Sequence, residues 1–146
     1  MKAYASLAIA APMDKVWTVV RDFSAAAAWL PGVATCRIED NKKSDQVGCV
    51  RTVTMADGLT VSEKLLALSD LDHSLTYTAL PMTASPIVNY IATVTLKPIT
   101  GSDGALAELA SDFDVLSGDA SQTRDGLVNG FYLPALQNLQ KLAEGV

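Results

Sequence analysis

Four side chains in the middle of this 146-residue chain are of the kind that does chemistry when taken out of water: Arg51, Glu63, Tyr77 and Tyr90. Their placement follows from the hairpin around Ala56-Asp57-Gly58. With a three-residue loop, Met55 faces Leu59, Val53 faces Val61, Arg51 faces Glu63 and Cys49 faces Leu65, while Val50, Thr52 and Thr54 share the opposite face with Thr60, Ser62, Lys64 and Leu66. A two-residue Asp-Gly loop would mix threonines into the apolar face, and a slip of one residue flips every side chain. The longer loop is therefore expected. It makes Arg51 and Glu63 cross-strand partners on an otherwise apolar inner face. Tyr77 keeps phase with Leu75 and Ala79, and Tyr90 with Val88, Ala92, Val94 and Leu96, so both phenols are expected to point inward.

Buried charges persist only when paired, and buried phenols need partners for their hydroxyls. Two readings stay open at this point. Arg51 and Glu63, with or without Tyr90, form a self-satisfied core network, or they form the polar end of an apolar cavity that orients a ligand's carboxylate, hydroxyl or carbonyl. A glutamate beside an arginine is also a candidate general acid or base, although spacing alone does not make it one.

Other reactive residue types carry weaker signals. His73, the sole histidine, falls in a turn cluster and is expected in solvent. Asp112 and Asp114 alternate with Ser111 and Phe113, which makes them outward carboxylates rather than a metal pair. Cys36 and Cys49 have neither CxxC spacing nor an accompanying histidine, so two buried free thiols are expected. Trp29 reads either as a core plug or as a lid over a cavity mouth. Phe131 and Asn138 lie on a helical stripe facing the sheet, where the asparagine needs a partner.

The elements that position these residues are legible in outline. Residues 2 to 10 alternate as a strand. Pro12 sits where a first helical residue would, and Val16, Trp17, Val20 and Phe23 follow at helical spacing, predicting a helix over about 12 to 22 and a second piece through Ala25 to Trp29. From Val33 to Val115, short runs rich in Val, Thr, Ile and Leu are separated by turn clusters at 41–46, 56–58, 69–72, 81–86 and 101–104, which predicts six more strands in a meander. From Asp119 the spacing is helical to Glu144, with Leu127, Phe131, Pro134 or Ala135, Asn138 and Leu142 on one stripe. Pro134 interrupts that helix, so a bend is expected near Gly130 to Pro134, with the helix arching rather than lying flat. The order predicts an α+β fold: a seven-stranded antiparallel sheet curled around a long C-terminal helix, with two short helices between strands 1 and 2.

Composition bounds the rest. A single domain over residues 1–146 is expected, with no linker, repeat or charge block. The chain is 49% hydrophobic but only 6% aromatic, and 21 of its residues are alanine, a mixture that tolerates an unfilled interior. A net charge of -5 excludes a phosphate-backbone partner, which needs a basic surface. The apolar run Leu7 to Ala11 is too short for a membrane span or a signal-peptide core, so a cytoplasmic protein without stable membrane insertion is expected. No metal site and no cofactor motif are visible, and the chain is read as a monomer or a dimer.

Several segments in order carry a resemblance. Ala11-Pro-Met-Asp-Lys-Val-Trp17, Phe23 with Trp29-Leu-Pro-Gly32, Val47-Gly-Cys-Val-Arg51, Asp57-Gly-Leu59, Glu63-Lys-Leu65, Asn89-Tyr90 and Asn138-Leu-Gln-Lys-Leu142 resemble the START-like helix-grip (SRPBCC) superfamily, in its bacterial polyketide cyclase/dehydrase-like branch. The resemblance implies a cavity between sheet and C-terminal helix for a hydrophobic small molecule such as a lipid, polyketide or aromatic compound. In the related plant receptors, the positions matching Arg51, Val53, Met55, Glu63, Tyr77, Tyr90, Pro134 and Asn138 surround the ligand, and loops matching 56–61 and 81–86 act as lids. Together with Trp29, Leu59 and Phe131 these form the expected ligand-contact set. Departures limit the carry-over: Leu30 stands near the receptors' ligand-anchoring lysine, the gating loop is shorter, and Ser111 stands where some relatives have an acidic cavity residue. Ligand binding is the expected function. The alternative is a cyclase or dehydratase-type enzyme in which Glu63 or a tyrosine moves protons.

Overall fold

The computed structural model describes residues 1–145 of the chain. Seven strands form one antiparallel sheet: β1 (Lys2–Ile9), β2 (Val33–Ile38), β3 (Val50–Met55), β4 (Thr60–Ser69), β5 (Ser74–Ala79), β6 (Ile87–Pro98) and β7 (Ala105–Val115). Their order across the sheet is β1-β7-β6-β5-β4-β3-β2, a meander from β2 to β7 closed by β1 at the far edge. Between β1 and β2 lie α1 (Met13–Val20), a 3-10 turn Phe23–Ala25 and α2 (Ala26–Trp29). The C-terminal helix runs as α3 (Ala120–Leu127), a π turn Val128–Tyr132 and α4 (Leu133–Glu144). This is the helix-grip arrangement expected from the sequence.

Local chemistry explains the boundaries. Pro12 is the N-cap of α1 rather than its first helical residue, and its carbonyl accepts from the amides of Lys15 and Val16 at 3.0 and 3.3 Å. Asp22 caps the 3-10 turn by accepting from the Ser24 amide at 3.0 Å, and Asp119 caps α3 by accepting from the Gln122 amide at 2.9 Å. In the β3–β4 hairpin, Gly58 at φ +91 supplies the left-handed residue that a three-residue loop requires. The register there is the expected one: Arg51 pairs with Glu63 and Val53 with Val61, and the Leu65 amide donates to the Cys49 carbonyl at 2.9 Å.

The core is filled unevenly. Tyr132, Ala135, Leu136, Leu139 and Ala143 of the C-terminal helix are buried together with Ala3, Ile9, Ala107 and Leu109 of β1 and β7 and with Val16, Phe23 and Trp29 of the N-terminal helices. Toward β3, β4 and β5 the helix presents only Leu127 and Phe131, both partly buried. The buried stripe is thus offset from the expected one, and Leu142 is 45% exposed. The π turn is the reason. It adds one residue to the turn before Pro134, with the Leu133 amide bonded to the Val128 carbonyl, and rotates everything after it relative to everything before it. No helix among the described residues is long and apolar enough to cross a membrane.

Candidate functional site

Where the helix leaves the sheet uncovered, a pocket of about 760 Å³ opens. Its floor is the inner face of β3 to β6, one wall is Leu127 and Phe131, and its rim is the β3–β4 hairpin and the segment after β5. Leu30 and Val33 close the side near α2, held there because the Ala56 amide bonds to the Gly32 carbonyl at 2.8 Å. Gly32 sits at φ +74, a conformation that gives the chain its turn into β2.

Of the residues singled out from sequence, Val53, Met55, Leu59, Glu63, Tyr77, Tyr90 and Phe131 border this pocket. Trp29, Arg51, Pro134 and Asn138 do not. Trp29 is a core residue at 5% exposure, and its carbonyl accepts from the Asn138 side-chain amide at 3.0 Å, so the asparagine ties α4 to the end of α2. Pro134 follows the π turn at the start of α4.

Arg51 lies behind the wall. Its Nε and Nη2 both reach Oε1 of Glu63 at 2.8 Å, and its Nη1 donates to the Phe23 carbonyl at 3.1 Å. The guanidinium carbon stands 3.9 Å from the Phe23 ring centre and 4.9 Å from that of Tyr77, so two aromatic faces cover the cation. Its charge is spent inside the protein. Glu63 differs, because Arg51 occupies one carboxylate oxygen and Oε2 hydrogen-bonds no described residue.

A second polar chain runs from the pocket into the core. The hydroxyls of Tyr90 and Tyr132 are 2.6 Å apart, and Tyr132 donates to Ser111 Oγ at 2.5 Å. Tyr90 reaches this partner because β6 bulges beside it. Val88 pairs with Asp114 and Ile91 with Asp112, so two residues oppose Phe113; Asn89 takes φ +55 and bonds outward to Asp114 at 2.8 Å. Tyr90 keeps phase with Ala92, but its expected parity with Val88 is lost at the bulge. Burial, and for Tyr77 also the negative charge of Glu63, pushes Tyr77 and Tyr90 well above the ordinary phenol value. Both remain neutral donors at physiological pH.

Sequence reasoning missed Tyr132, which is fully buried and central to this chain. A signal was available in the regular spacing of Tyr132, Ala135, Leu136, Leu139 and Ala143, but the π turn sets this stripe out of phase with Leu127, so a stripe begun at Leu127 and Phe131 passes it by. Replacing Tyr132 with phenylalanine strands Tyr90 and Ser111 together. A loss of about 2 kcal/mol is expected in urea unfolding, against about 1 kcal/mol for Ser111→Ala, which leaves the phenol pair intact. Equal costs for the two variants would show that the chain is not coupled through Tyr132.

The remaining candidates resolve as follows. His73 is only partly exposed: it stands edge-on to Trp17 at 5.5 Å, with Nε2 4.0 Å from Asp14, because the β4–β5 turn folds back on α1. The same turn is fixed by Asp70, which accepts from Trp17 Nε1 at 2.8 Å and Arg21 Nε at 2.9 Å. Asp112 faces outward to Lys2 at 2.8 Å. Cys36 and Cys49 are free thiols, the first partly and the second fully buried, and burial raises both above the usual thiol value. No cluster of metal-ligating side chains occurs among the described residues.

The family model described as polyketide cyclase / dehydrase and lipid transport matches residues 1–144. The chain belongs to this family. Among curated relatives, the abscisic acid receptor PYL10 of Arabidopsis thaliana is 28% identical over 142 residues, covering 93% of this chain and 74% of the receptor. Among solved structures, an uncharacterized protein from Bacillus thuringiensis superimposes with a TM-score of 0.83 at 25% identity, covering 96% of each chain. Norcoclaurine synthase from Thalictrum flavum, solved with dopamine and hydroxybenzaldehyde, superimposes with a TM-score of 0.76 at 19% identity over 99% of this chain and 87% of the enzyme, a likeness of fold.

Proposed function

We propose that this family member is a single ligand-binding domain that holds a small, mostly apolar molecule between its sheet and its C-terminal helix. The observation that carries the reading is the unfilled space of about 760 Å³, bounded by aliphatic side chains and a few polar groups. That volume is within the range that encloses most of a drug-sized ligand. The sequence uses alanine where a larger residue would fill the gap: Ala79, opposite Glu63, is on the wall. The relative named as a receptor for abscisic acid, a small molecule, supports the same reading.

Cyclisation or dehydration of the bound molecule is the second reading, and the family description supports it. Such chemistry needs a proton acceptor. The phenols of Tyr77 and Tyr90 are held protonated by burial, which leaves Glu63 as the candidate base.

The test is direct. A neutral fluorescent dye such as Nile red should bind the purified protein with a blue-shifted emission, and Ala79→Trp, which puts an indole into the space, should weaken that binding about tenfold or more while the circular dichroism stays native. Equal dye binding by both proteins would place the dye elsewhere and remove the support for the pocket. Turnover of a β-hydroxy aromatic substrate that Glu63→Gln abolishes would favour the enzymatic reading.

A further inference from the structure

Resting on the pocket reading above, we infer that the ligand's polar end is a hydrogen-bond donor carrying positive charge, a protonated amine in preference to a hydroxyl, and that carboxylate-ended ligands are rejected. Three observations converge on this. Glu63 is the one charged side chain among the described residues that border the pocket, which includes no lysine, arginine or histidine. Arg51, the nearest cation and the obvious anchor for an anion, is out of reach: it is 4% exposed, its Nε and Nη2 are on Glu63, its Nη1 is on the Phe23 carbonyl, and the rings of Phe23 and Tyr77 pack against it.

The third observation concerns Glu63 itself. Both Arg51 contacts fall on Oε1, and Oε2 has no hydrogen-bond partner. No buried side-chain nitrogen or oxygen among the described residues is left without a partner. Oε2 therefore touches open space, and the space that Glu63 borders is the pocket. An acceptor held in place by a buried arginine, in a low-dielectric wall, is a preorganised seat for an N–H donor. A ligand carboxylate brought there would meet like charge with no cation free to answer it.

The experiment compares matched ligands that differ only at the polar end: 2-(2-naphthyl)ethylamine, the corresponding alcohol, 2-naphthylacetate, and the trimethylated ammonium, which has the charge but no N–H. Each displaces Nile red from the wild-type protein. The amine is expected to compete about tenfold better than the alcohol, the size of one charge-assisted hydrogen bond, with the carboxylate weakest and the trimethylated ammonium losing most of the amine's gain. In Glu63→Gln the amine should fall to the level of the alcohol, both measured against that variant's own affinity for the dye. A carboxylate that competes as well as the amine, or an amine no better than the alcohol, overturns the inference while leaving the pocket intact. Absence of any dye binding to the wild type overturns the pocket reading itself, and this inference with it. The wild-type ligand series decides the preference whether or not Glu63→Gln folds.

Discussion

Replacing Arg51 with methionine is expected to cost about 3–5 kcal/mol of stability, the usual penalty for removing one partner of a buried ion pair. Three contacts are lost at once: the two bonds to Oε1 of Glu63, the bond to the Phe23 carbonyl, and the packing of the cation against the rings of Phe23 and Tyr77. The side chains of Arg51 and Glu63 are only 5% and 13% exposed, so water cannot stand in for the lost contacts at the Arg51 end. The Phe23 carbonyl belongs to the turn that Asp22 caps, and the loss therefore reaches the junction between α1 and α2.

The double variant Arg51→Met, Glu63→Leu should recover most of that loss, because an apolar pair of similar volume needs no desolvation of charge. Urea unfolding of the four proteins in the cycle measures both effects, with unchanged m-values as the check that all remain two-state. A single variant costing under about 1 kcal/mol would mean that the pair is solvated and screened. Glu63→Gln should be much milder than Arg51→Met, since a glutamine oxygen still accepts from Arg51. The comparison separates two roles. The arginine holds the fold and aims the glutamate, and the glutamate's second oxygen is left for the pocket.

The inner face of β3 and β4 was legible because its residues sort cleanly: Val53, Met55 and Val61 on one side and Thr52, Thr54 and Thr60 on the other admit one register. Arg51 and Glu63 follow from that register, and so does their pairing. What the sequence could not say is which of the two faces the pocket, since a β position defines a face and not the direction of a long side chain along it. Arg51 turns back to Phe23, a partner 28 positions away in sequence, whose carbonyl is presented only after the 3-10 turn forms. Irregular backbone hid the rest. The β6 bulge at Asn89 breaks a period of two, and the π turn at Val128–Tyr132 breaks a period of 3.6 residues. A pattern read straight through either one puts the residues beyond it on the wrong face, which is how Leu142 came to be expected on the stripe and Tyr132 did not.

Alkaline unfolding provides the other large effect. Burial raises Tyr77 and Tyr90 well above the ordinary phenol value, and Tyr132 is raised for the same reason. Below about pH 10 both folded and unfolded chains keep these protons, and the phenols' contribution to stability is complete. Above that pH the unfolded chain releases them and the folded chain does not, so the unfolded state binds fewer protons and stability falls as pH rises. For Tyr77 and Tyr90 together the slope is about 3 kcal/mol per pH unit until the folded values are reached. The protein is therefore expected to unfold cooperatively at alkaline pH, with the tyrosinate absorbance of the buried phenols rising in the same step as the circular dichroism is lost. Tyr77→Phe distinguishes this from general charge repulsion. The Tyr77 hydroxyl is within weak hydrogen-bonding reach of Tyr90. Its removal should cost no more than about 1 kcal/mol at neutral pH and move the alkaline transition upward. An ordinary phenol titration in a protein that keeps its circular dichroism would mean that these rings are open to water, and a pocket wall open to that degree could neither hold Glu63 in a dry setting nor keep its second oxygen for a ligand.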